Sequence, residues 1–135
     1  MLVKTVELIF TVGTKYKTIL QIYRIAIFGP LLEEMVKHKD ITSKFWGRYF
    51  SHYCERYIEG NDRYCAINVW SSVETLEFRI LKFIDAKQYI RAADFCIDTT
   101  KYINYCISKT NFNEKEAGKL GLNILEKYKE VIKNV

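Results

Sequence analysis

The segment Phe83-Ile84-Asp85-Ala86-Lys87-Gln88 constrains this chain most, because it sets a helix start directly against the end of an earlier apolar pattern. Asp85 can accept a hydrogen bond from the unpaired N–H groups of a following first turn, and Gln88, three residues on, can reach back to the Asp85 N–H. Downstream, Tyr89, Ala93, Cys96, Ile103 and Ile107 recur at the spacing of one buried helix face, and upstream Val69, Val73, Leu76, Ile80 and Phe83 do the same. Two helices joined by so short a cap must lie antiparallel as neighbours, the repeating step of a bundle. The expected fold class is all-α: an antiparallel up-and-down four-helix bundle with an additional C-terminal helix. One domain spans residues 1–135, with its core at about 3–108 and the tail helix at about 113–133.

The remaining elements follow from punctuation. A first helix is expected from about Val3 to Phe28, with Ile19, Ile22, Tyr23 and Ala26 inward, and Gly29-Pro30 stops it. Leu31 to Lys39 forms a short helix. A second long helix starts at Asp40 or Ser43, turns Trp46, Tyr49, Phe50, Tyr53 and Tyr57 inward, and ends at Gly60-Asn61-Asp62. Asn113 with Glu116 repeats the capping pattern for a last helix, with Ala117, Gly121, Ile124, Tyr128 and Val131 on one face.

The 49% hydrophobic content suits a packed core rather than disorder. Four cysteines without a CxxC pair fall in predicted helices, which points to reduced thiols in a reducing compartment. Lys4 and Glu7 interrupt any signal-peptide pattern, and no run approaches the roughly 20 apolar residues of a membrane span. The expected location is cytoplasmic.

Catalytic signatures are missing: no glycine-rich elbow precedes a serine, no phosphate-cradling glycine loop is present, and His38 and His52 are too far apart to share a metal. The chain reads as a non-enzyme without cofactor or metal. Cations are its chemical resource, since the formal net charge is +5. On the second helix Lys44, Arg48, His52 and Arg56 recur at steps of four, so they form either a solvated stripe or a track for phosphates or an acidic protein. Arg79, Lys82, Lys87 and Arg91 make a second set around the cap. Lys15, Lys17 and Arg24 lie in a stretch without carboxylates. The second helix is aromatic on more than one face, beyond what one bundle seam buries. Trp46, Phe50 and Tyr53 are therefore expected at an oligomer interface.

The run Leu76-Glu77-Phe78-Arg79-Ile80-Leu81-Lys82-Phe83, the cap Ile84-Asp85-Ala86-Lys87-Gln88-Tyr89, the stretch Ala93 to Ile107 and the turn Glu59-Gly60-Asn61 together resemble a family of four-helix-bundle proteins. That family includes ribosomal intervening-sequence proteins and the accessory variability determinant (Avd) of diversity-generating retroelements. The resemblance covers roughly residues 16 to 108. It implies a barrel-like homopentamer whose basic surface binds a reverse transcriptase and its RNA template during mutagenic cDNA synthesis, without an active site of its own. This chain departs from the pattern at Tyr102 to Ile107, where such chains carry a glycine-glycine-tryptophan cluster, and at Phe28-Gly29-Pro30. Two alternatives stand beside it: a virus- or phage-encoded adaptor that grips a partner helix without nucleic acid, and a HEPN-like ribonuclease using Arg48 and His52, whose spacing is one residue short of that family's range.

Overall fold

A computed structural model describes residues 9–60 and 63–135 of the protein. Its elements run β1 (Phe10–Gly13), α1 (Lys17–Lys37), α2 (Lys39–Trp46), β2 (Ile67–Asn68), β3 (Thr75–Phe78), α3 (Ala86–Lys109) and α4 (Glu114–Val131). Four helices thus share the fold with a three-stranded antiparallel sheet of order β1-β3-β2, which overturns the all-α bundle. In the register, Phe10 pairs with Phe78, Val12 with Leu76, and Ile67 with Phe78 from the other side.

The sheet replaces the expected third helix, and the reason lies in the spacing. Leu76 and Ile80 are four apart, a step that fits both a helix face and one side of a strand. Phe78 breaks the tie. Leu76, Phe78 and Ile80 are all buried while Thr75, Glu77 and Arg79 between them are half-buried, an alternation of period two.

The second long helix is also absent. Only its start forms, within the eight-residue α2, because Gly47 adopts the left-handed conformation at φ 88° and ends the helix directly after Trp46. A Cβ there would overlap the Lys82 carbonyl, so the site demands glycine for space as well as conformation. The chain then runs through an irregular segment held by the bridges Ser51–Cys54 and Glu55–Cys65. Asn61 and Asp62 of the expected turn lie outside the described residues, as does the part of the expected first helix before Ile9.

Gly29-Pro30 does not stop α1. Proline removes the donor that would bond the Ala26 carbonyl four residues back, and that carbonyl lies against Gly121 of α4. The approach is so close that a Cβ on Gly121 would overlap the Ala26 oxygen and crowd that of Ile27 at 3.2 Å. The α4 backbone therefore covers the carbonyl that proline leaves unpaired. This contact with α4 is the most extensive between any two elements of the fold. The inward face of α1 is Leu20, Ile27, Phe28, Leu31, Leu32 and Met35, whereas Ile22, expected inside, is 64% exposed.

The last two helices form as their caps specify. The Asp85 carboxylate accepts from the Gln88 N–H at 2.8 Å, and the Asn113 side chain accepts from Glu116 N–H at 3.0 Å. Ala93, Cys96, Ile103 and Ile107 are buried on α3, and Ala117, Gly121, Ile124 and Tyr128 on α4. One hydrophobic cluster joins all elements, centred on the rings of Phe45, Trp46, Phe78, Phe95 and Tyr128. Cys54, Cys65 and Cys96 lie within the core, and burial raises the Cys96 thiol pKa well above its usual range.

Gly121→Ala should cost about 1–3 kcal/mol in chemical denaturation, because helix and carbonyl must separate to admit a methyl group. Gly118→Ala, where a Cβ would meet nothing within 4 Å, should instead stabilise by up to about 1 kcal/mol. Burial also raises the Tyr128 hydroxyl pKa, with the Glu34 charge adding to it and Thr42 and Trp46 partly offsetting. Its folded-state pKa lies above the unfolded one near 10, so its contribution is intact below about pH 10 and is lost as pH rises beyond it. A pH series of melting temperatures should fall more gently above that point in Tyr128→Phe than in the parent.

Candidate nucleic-acid interface

Gln88 builds the corner between α2 and α3. Its side-chain amide donates to the Phe45 carbonyl at 3.0 Å and the Lys82 carbonyl at 3.1 Å, while its oxygen accepts from the Ile84 N–H at 3.0 Å. The back-bond of the cap thus lands on Ile84 rather than on Asp85, one residue earlier than expected. Lys82 N–H in turn donates to the Trp46 carbonyl at 2.8 Å. These bonds tie the end of α2, the segment after β3 and the first turn of α3 into one junction.

Four of the expected basic residues ride on that junction. Lys44 stands in the last turn of α2, Lys82 in the connecting segment, and Lys87 and Arg91 on successive turns of α3. Lys44, Lys87 and Arg91 line a cavity of about 160 Å³ together with Asp85, Gln88 and the tail residue Asn134. At ~30 Å³ per water, the space holds about five waters or an oxyanion. Among the described residues, no carboxylate pairs with any of the four cations. Asp85 is the acidic side chain of the cavity wall, which Val135 also lines, and one of its carboxylate oxygens accepts the helix-cap bond. The unpaired N–H groups at the start of α3 add positive partial charge to the same corner.

The other expected cations are placed elsewhere. Arg79 donates to the Tyr53 carbonyl at 3.0 Å and lies 5.1 Å over the Tyr64 ring, so it pins the irregular segment to the end of β3. Arg56 bonds the Tyr57 hydroxyl and stacks on that ring at 4.7 Å. Arg48 is half-buried just after Gly47 and engages its neighbours. No helical stripe links Lys44, Arg48, His52 and Arg56, because the helix ends at Trp46. The same ending removes the shared helix face of Arg48 and His52 on which a HEPN-like site depended, and His52 sits exposed in a turn beside Tyr53.

The three residues expected at an oligomer interface also part company. Trp46 is fully buried in the protomer's own core and is unavailable to a partner; Phe50 is half-buried against Tyr49, and Tyr53 is exposed. Arg24 was grouped with surface cations, yet it donates to the carbonyls of Gln21, Ile58 and Glu59 and clamps the irregular segment to α1. Lys17 bonds the Val73 carbonyl in the same manner at 2.6 Å. Among the described residues no cluster of His, Cys, Asp and Glu could hold a metal ion, and no helix is long and apolar enough to cross a membrane.

Gln88→Ala leaves the Phe45 and Lys82 carbonyls and the Ile84 N–H without their partner at unchanged net charge. Urea denaturation should show a loss of about 1–3 kcal/mol, part of it recovered by water because the corner is half open.

No protein-family model, curated protein or solved structure matches this chain.

Proposed function

We propose that the chain is a non-enzymatic accessory protein that holds a nucleic-acid backbone at the corner between α2 and α3. The observation that carries this is the convergence of Lys44, Lys87 and Arg91 on one small cavity, with Lys82 beside them and, among the described residues, no salt bridge to any of the four. Cations without partners neutralise phosphates at little desolvation cost, and they bind without reading sequence. The resemblance of the α3 opening to the retroelement accessory proteins supplies the fuller form: the strand is a template RNA or its cDNA, the partner is a reverse transcriptase, and the protein acts in the cytoplasm as a homo-oligomer. The four-helix architecture of that family is not the fold of this chain. The polymerase partner therefore rests on the sequence from Leu76 to Ile107, and self-association on exposed apolar surface.

A second class of function is favoured by a separate observation. An apolar cavity of about 520 Å³ runs along α1, away from the basic corner, which suits a protein-binding adaptor.

Fluorescence anisotropy with a labelled single-stranded RNA across a salt series separates the two. Three phosphate contacts predict that log affinity falls against log salt with a slope of roughly −2. The triple variant Lys44→Glu, Lys87→Glu, Arg91→Glu should bind at least about tenfold more weakly at low salt and lose that slope, with its melting temperature little changed. Absence of salt-sensitive binding by the parent would leave the adaptor class. Co-purification with a reverse transcriptase encoded beside this gene tests the named partner.

A further inference from the structure

We infer that Phe83 is a stacking platform for an unpaired base, so that the strand held at the corner between α2 and α3 is single-stranded. The inference rests on the proposed nucleic-acid reading and names the form of polymer that the corner takes. Phe83 is 61% exposed and stands outside the hydrophobic cluster that joins the other elements. The ring is nonetheless fixed from both sides, because the Gln88 side chain accepts from the Ile84 N–H at 3.0 Å and donates to the Lys82 carbonyl at 3.1 Å. The Tyr89 ring lies 5.8 Å from it at a tilt of 53°, and Tyr89 meets Phe10 of β1 edge-on at 6.2 Å. Phe10 and Tyr89 are half-buried against the core, so the three rings step outward from the sheet and Phe83 is the outermost.

Charge names the occupant. Between Glu77 and Asp94 the chain carries Arg79, Lys82, Lys87 and Arg91 against one acidic residue, Asp85. Arg79 is held by the Tyr53 carbonyl and Asp85 caps α3. Lys82, Lys87 and Arg91 remain, and none of them forms a salt bridge among the described residues. An apolar partner covering the ring would have to strip water from those cations without compensation. A strand with exposed bases meets both features, since its bases stack on the ring while its phosphates neutralise the cations.

The two contacts fall on opposite flanks of one helix end. Lys87 and Arg91 lie one turn apart on α3 and line the cavity, whereas Tyr89, midway between them, projects from the other side of the helix. A strand reaches both flanks by crossing the first turn of α3, where the unpaired N–H groups of the helix start favour a phosphate. Ile84, 56% exposed, widens the apolar platform beside the ring. A duplex keeps its bases stacked on one another and offers Phe83 only its backbone, so the ring discriminates against it.

Anisotropy on the full chain compares a labelled single-stranded RNA with the duplex of the same sequence. The parent should bind the single strand more tightly, and Phe83→Ala should weaken that binding about tenfold, the loss of one base stack. The salt slope and the duplex affinity should stay unchanged, because no cation is removed. Phe83→Leu keeps apolar bulk without a π-face and should fall with Phe83→Ala. Phe83→Trp should retain binding, with its indole fluorescence quenched by the strand and not by the duplex. Because the ring lies outside the core, circular dichroism of all three variants should match the parent. Single-strand binding unaltered in Phe83→Ala, or equal affinity for strand and duplex, overturns the platform, while salt-sensitive binding by the parent keeps the proposed function. A parent that binds neither polymer in a salt-sensitive manner overturns both. Phe83-dependent binding to vesicles containing phosphatidylserine, with strand binding untouched by Phe83→Ala, assigns the ring to a lipid surface and overturns the inference.

Discussion

The burial of Trp46 organises this molecule. Its indole is fully enclosed and touches Phe45, Phe78, Phe95 and Tyr128, rings drawn from α2, β3, α3 and α4. The next residue must then reverse the chain at once, and only glycine fits beneath the Lys82 carbonyl in the required conformation. The backbone bond from Lys82 to Trp46 and the three bonds of the Gln88 side chain lock the same place. The cations at this corner are thus positioned by core packing, and the surface chemistry inherits the rigidity of the aromatic cluster beneath it.

Much of the helical half of the fold was legible, because helix caps are local chemistry. Asp85 and Asn113 each mark a helix start with a side-chain oxygen and a backbone N–H three residues on, and no tertiary contact is needed to complete that bond. The strands were illegible for the opposite reason. Thr75–Phe78 is held between β1 and β2, and neither partner is near it in the helical interpretation of the same apolar residues. Pro30 misled in the same direction. A local rule ends the helix there, but a glycine 91 residues away covers the carbonyl that proline strands.

The candidate site divides along a similar line. Lys44, Lys87 and Arg91 were named from sequence, but as members of two separate stripes; the shared cavity exists only because Gly47 folds the end of α2 against the start of α3. Arg79 and Arg24 look no different in a sequence, yet their guanidinium groups are spent on carbonyls of the irregular segment 53–59. A segment with so little regular structure leaves carbonyls without backbone donors, and long basic side chains reach across to satisfy them. Had the expected second helix formed, those carbonyls would have been bonded internally and both arginines would have stood in solvent.

The distribution of sulfur carries a practical corollary. Cys54, Cys65 and Cys96 are at most 2% exposed, and the Cys96 thiolate is disfavoured by its apolar surroundings, while Cys106 alone is half open to solvent. An alkylating reagent meets one address in the native state and three more only when the core breathes, so the chain comes with its own graded chronometer of structural opening.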